Sequence, residues 1–144
     1  MYKTISFLQN HPIYIVEIIV VALTIIYLIA LAITNYELRQ YAEIANDLER
    51  AWKIVSHDGS RPLVLFVLGC LDLMGIAAMS VAEYRIYRTD AKWESESIGL
   101  NVLIFTIFLN IALGLVVVLL LNNPIIWAIF VIAIIGGLFV GLSS

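Results

Sequence analysis

Four long apolar segments decide what this chain can fold into: residues 13–33 (IYIVEIIVVALTIIYLIALAI), 63–82 (LVLFVLGCLDLMGIAAMSVA), 98–121 (IGLNVLIFTIFLNIALGLVVVLLL) and 125–142 (IIWAIFVIAIIGGLFVGL). Each approaches or exceeds the roughly 18 to 20 residues that carry a helix across the hydrocarbon core of a bilayer. The runs are rich in β-branched residues but lack the apolar/polar alternation of a barrel strand, so helices are expected. Pro12, Pro62 and Pro124 stand at the starts of three of them, where a missing N–H costs nothing and the fixed φ suits a first turn; Ser97 is placed to cap the remaining one. The expectation is an all-α integral membrane protein, a single multi-pass membrane domain over 1–144. Its transmembrane helices fall at about 12–33, 62–82, 98–121 and 124–142, in a cell or inner membrane.

Composition agrees. Hydrophobic residues make up 62% of the 144, charged residues 13%, and the mean hydropathy is +1.01, far from the half-apolar, quarter-charged make-up of soluble domains. With a net charge of −3 and no basic run, nucleic acid is excluded as a partner. Ala30-Leu31-Ala32 resembles a signal-peptidase site, but the apolar core before it is too long and Lys3 stands alone ahead of it, so a retained helix is expected.

Between the first two segments lies the longest polar stretch. Leu38, Tyr41, Ala45, Leu48, Trp52 and Val55 recur at alternating spacings of three and four, and no Gly or Pro interrupts them before Gly59. The same seam runs back through Thr34, Leu31, Tyr27, Thr24 and Val20 to Glu17. The pattern predicts that the first helix continues into water as an amphipathic extension over about 34–56, unbroken between 34 and 38, with Leu48 and Trp52 buried against another helix. An interfacial helix lying flat on headgroups is the alternative; the mixed charges on its polar face, Glu37, Glu43, Asp47 and Glu49 against Arg39, Arg50 and Lys53, weigh against it.

The connection 83–97 carries Tyr84, Tyr87 and Trp93, aromatics suited to headgroup depth, with Arg85 and Arg88 able to snorkel. Only Asn122, Asn123 and Pro124 join the last two segments, which predicts a tight antiparallel hairpin. Four Lys and Arg fall in the first connection, and four in the N-terminal tail and second connection together, so the positive-inside rule gives no orientation.

The residues that carry chemistry are polar groups inside apolar runs. Asp72 is the tenth of twenty residues in its segment, near the bilayer midplane; Asn110 lies at almost the same level, with Thr106 on its face, while Glu17 and Asn101 begin their segments. Glu17, Asp72, Asn101, Thr106 and Asn110 are therefore expected to form a polar ladder, with Asp72 bonded to Asn110 or to a polar group of another subunit. No Lys, Arg or His lies within a segment, so each carboxyl must be protonated, pair with another chain or hold a cation. Ala133, Gly137 and Gly141 form a small-residue stripe that lets another helix approach.

Catalytic constellations are missing. Cys70 has no histidine near it and is expected buried and inert; His11 and His57 stand at opposite ends of the first helix. No zinc spacing, phosphate-binding glycine loop or nucleophile elbow occurs. No catalytic residue, metal site or cofactor is expected, and the chain is not an enzyme by itself. The expected function is a non-catalytic accessory or scaffolding subunit of a multi-subunit membrane complex of respiratory, oxidase or oxygenase type. Its partners are other integral membrane subunits, which contact the seam Leu38, Tyr41, Ala45, Leu48, Trp52 and Val55, and the lipid bilayer; a homo-oligomer is also possible. The second reading is a small oligomeric proton- or cation-coupled transporter or channel using Asp72 and Glu17.

Overall fold

A computed structural model describes residues 12–89 and 97–143. Among these residues the chain is helical with no strand. Helix α1 spans Ile13–Leu38 and passes into a single 3-10 turn, Arg39–Tyr41. Helix α2 spans Asp47–Ser56, α3 Arg61–Thr89, α4 Ser97–Leu121 and α5 Trp127–Ser143. Three stretches among the described residues are long and apolar enough to cross a membrane: Ile13–Tyr41, Arg61–Thr89 and Gly99–Leu121. The fourth apolar segment is a shorter helix, Pro124–Leu138. Lys3, His11 and Trp93 lie outside the described residues.

The first helix runs unbroken through residues 34–38, as its seam predicts, and that seam is its packed face: Glu17, Thr24, Leu31, Thr34 and Leu38 are all buried. The long amphipathic extension is not one helix, however. After the 3-10 turn the backbone leaves helical structure over 42–46, and α2 starts afresh. Asn46 sits in extended conformation and accepts hydrogen bonds from the amides of Leu48 and Glu49, at 3.0 and 3.1 Å. An N-cap of this kind satisfies donors that a continuous helix would have used otherwise, so the helical phase is reset.

The reset corrects the predicted burial. Ala51 and Ile54 are the buried residues of α2, whereas Leu48 is exposed and Trp52 is 62% exposed. Tyr41 and Val55 are half-buried and Ala45 is exposed. The helix packs on α5, and the Arg50 guanidinium lies 4.0 Å from the centre of the Trp127 ring, a cation–π contact. Arg50 also pairs with Asp47, and Lys53 pairs with Glu49, each within α2.

The tight hairpin after Leu121 is also replaced. Asn122–Ile126 forms a π-helical turn, flanked by Leu121 and Trp127 in right-handed helical geometry, so the backbone stays helical from α4 into α5. A π turn is wider than an α turn, and the proline, which lacks an N–H and crowds the preceding turn, is accommodated in it without ending the helix.

The turn between α2 and α3 closes with His57 at the helix end, and Asp58, Gly59 and Ser60 all have positive φ. Two compact units make up the chain: Met1–Ile26 with Asp72–Leu115, and Tyr27–Leu71 with Val116–Ser144. In the second unit, Tyr27 donates its hydroxyl to the carbonyl of Leu65 at 2.9 Å, and Asn35 donates to that of Leu120 at 2.7 Å. Gly69 permits the first contact, since a Cβ there would overlap the Tyr27 hydroxyl and the end of Leu121. Cys70, next along α3, is exposed rather than buried; a helical step of about 100° turns it away from the packed Gly69 face.

Candidate functional site: a buried carboxylate cluster

The first unit buries an acidic cluster drawn from three helices. On α1 it takes Tyr14 and Glu17, on α3 Ser80 and Glu83, and on α4 Thr106 and Asn110. Glu17 is 3% exposed, Glu83 0% and Asn110 1%. The placement follows from helical spacing. Glu17 is three residues after Tyr14, Glu83 three after Ser80, and Asn110 four after Thr106, so each pair occupies one face of its helix. Leu103 and Thr106 extend the buried face of α4, and Ile76 that of α3.

The cluster has more acceptors than donors. Thr106 Oγ1 lies 2.7 Å from Glu83 Oε2 and 3.1 Å from the carbonyl oxygen of Leu103. Asn110 Nδ2 donates to Ser80 Oγ at 3.2 Å, and Ser80 in turn donates to the carbonyl of Ile76 at 3.1 Å. Glu17, Glu83 and Tyr14 are within electrostatic reach of one another, with Asn110 beside Glu17. Yet both Glu17 oxygens, Glu83 Oε1 and Asn110 Oδ1 have no hydrogen-bond partner among the described residues. The basic residues in the described part of this unit are Arg85 and Arg88, both exposed.

Of the expected polar ladder, Glu17, Thr106 and Asn110 are brought into this cluster. Asn101 is exposed: it is two residues from both Gly99 and Leu103, which are buried, and so points away from that face. Asp72 does not pair with Asn110. It is half-buried and accepts a hydrogen bond from Thr24 Oγ1 at 2.7 Å, while its second oxygen, Oδ2, is unpartnered among the described residues. Sequence reasoning missed Glu83, because the second span was ended at residue 82. The signal was present: Asp72, Ile76, Ser80 and Glu83 follow steps of four, four and three, one stripe of a helix that continues to Thr89.

The second unit holds a polar node at the helix ends. Glu37 Oε2 accepts from Arg61 Nη1 at 3.2 Å and lies 3.4 Å from His57 Nε2, while His57 Nδ1 lies 3.0 Å from the Tyr41 hydroxyl. Beside α2 an open cavity of about 860 Å³ is bordered by Asn35, Arg39, Arg50, Asn122 and Trp127. On α5, Ala133 is exposed and a Cβ on Gly137 would meet nothing within 4 Å; the side-chain surroundings at position 141 lie outside the described residues. Among the described residues no three His, Cys, Asp or Glu side chains converge as a metal site. No protein-family model, curated protein or solved structure matches the chain.

Proposed function

We propose that this chain is a non-catalytic accessory or scaffolding subunit of a multi-subunit integral membrane complex. The observation that carries the reading is the uncovered apolar surface of the second unit. Trp52 and Leu48 of α2 are exposed, and among the described residues nothing covers Ala133 and Gly137 on α5. Lipid covers large side chains well, but a small-residue face gains most from a close helix, because association in a bilayer rests on packing rather than on water exclusion. The apolar stretch 125–142 cannot remain in water, so α5 is taken as a fourth membrane-embedded helix held by a partner. A respiratory, oxidase or oxygenase assembly suits a small chain without a reactive constellation of its own.

Photo-crosslinkers at positions 52 and 137 test this in the source membrane. Adducts with another polypeptide are expected from both positions; adducts with lipid alone would contradict the reading.

The second reading, a small oligomeric proton- or cation-coupled transporter, draws support from the acidic core of the first unit, since ionisable groups inside membrane segments commonly mark ion pathways. Flux in reconstituted vesicles that depends on Glu17 would favour it.

A further inference from the structure

We propose that Glu17 and Glu83, with Asn110 and Thr106, form a proton-binding site inside the first unit, each carboxyl holding a proton at neutral pH. The proposal goes beyond the subunit reading and is independent of which assembly the chain joins.

Hydrogen-bond accounting leads to it. A threonine hydroxyl has one hydrogen, yet Thr106 Oγ1 faces two acceptors, the Leu103 carbonyl and Glu83 Oε2. Both contacts are hydrogen bonds when Thr106 donates to Leu103 and a protonated Glu83 donates to Thr106 Oγ1. If Glu83 is ionised, the one hydroxyl hydrogen must be shared between two acceptors, which weakens both bonds.

Asn110 gives the second, independent observation. One of its two amide hydrogens goes to Ser80, whose own hydroxyl is committed to the Ile76 carbonyl. Asn110 Oδ1 has no donor among the described residues although the residue is only 1% exposed, and both oxygens of the Glu17 carboxyl, 3% exposed, lack one as well. A proton on Glu17 supplies the missing hydrogen, because a neutral carboxyl donates through its O–H while its carbonyl oxygen remains an acceptor.

Charge leads the same way. Two carboxylates within electrostatic reach of each other, buried among apolar side chains, repel and are poorly solvated unless neutralised. The groups packed around them are the Tyr14 phenol from α1, Ser80 from α3, and Thr106 and Asn110 from α4. None of these brings a positive charge, and Arg85 and Arg88 face outward. Asp72 is separately bonded to Thr24. Two protons, taken from water and bound as carboxyl O–H groups, neutralise the pair and supply donors to the cluster.

Infrared spectroscopy of the full chain in phosphatidylcholine/phosphatidylglycerol nanodiscs tests the site. At neutral pH a protonated-carboxyl C=O band is expected that moves when glutamate, but not aspartate, is labelled with carbon-13. Glu17→Gln and Glu83→Gln should each remove part of it, while Asp72→Asn leaves the glutamate band unchanged. The labelled wild type keeps the test decisive if a variant fails to fold. Absence of a glutamate C=O band at neutral pH would overturn the proposal. Proton release on adding sodium or calcium chloride to weakly buffered protein would also overturn it, replacing the proton site by a cation site.

Discussion

Thr24 donates its hydroxyl to Asp72 Oδ1 at 2.7 Å, joining α1 to α3 within the first unit, and Thr24 is fully buried. The aspartate in the middle of an apolar helix is thus anchored by its own chain. Thr34, also fully buried, spends its hydroxyl on the Ala30 carbonyl of its own turn. Thr24→Val should therefore lower stability by about 1 kcal/mol more than Thr34→Val, the scale of interhelical hydrogen bonds in membranes. Equal unfolding midpoints for the two variants in mixed micelles would remove the structural role of the pair.

Gly69 marks a close approach in the second unit. Gly69→Ala places a methyl group against the Tyr27 hydroxyl and Leu121, and overpacking of this kind costs about 1–3 kcal/mol. Adding Tyr27→Phe removes the clashing oxygen and should recover part of that loss. A double variant no more stable than Gly69→Ala alone would place the strain elsewhere.

The reset helical phase of α2 makes a sharp distinction between neighbours. Ile54 is 2% exposed and Trp52 is on the open side, so Ile54→Ala should cost about 2–4 kcal/mol of stability. Trp52→Ala should leave the isolated chain nearly unchanged and weaken association instead. Thermal unfolding of the two variants, measured beside native electrophoresis, checks both halves.

Asn46 is the residue that starts α2. Asn46→Ala removes the acceptor for the Leu48 and Glu49 amides, and a lost cap costs about 1 kcal/mol. Hydrogen exchange should accelerate at Leu48 and Glu49 and remain slow in α1. Unchanged protection at those two amides would show that the cap contributes nothing to the start of the helix.

Much of the fold was legible where one physical rule acted alone. Length and hydropathy gave the long helices, and the heptad spacing that links Glu17, Thr24, Leu31, Thr34 and Leu38 gave the buried face of α1. The seam failed beyond Tyr41 because spacing assumes continuous phase. The competing signal, Asn46 with Glu49 three residues on, is an N-terminal signature that overrides periodicity. Pro124 was read as the start of a new helix after a three-residue hairpin, because its fixed φ suits a first turn; a π turn instead gives it room inside a continuing helix. Glu17, Thr106 and Asn110 were found as polar residues in apolar runs, whereas Glu83 was hidden by its polar successors Tyr84 and Arg85, which suggested a loop. Asp72 was given the wrong partner because depth alone ranks candidates by level, and cannot tell which helix face meets which.

The native mass of the complex, solubilised in mild detergent from its source membrane, tests the subunit reading most directly. The account predicts a mass well above that of the 16.1 kDa chain, made up of this chain and unrelated membrane polypeptides in fixed ratio, and a loss of those polypeptides in Gly137→Leu. A monomer, or an oligomer of this chain alone that survives Gly137→Leu unchanged, would contradict it.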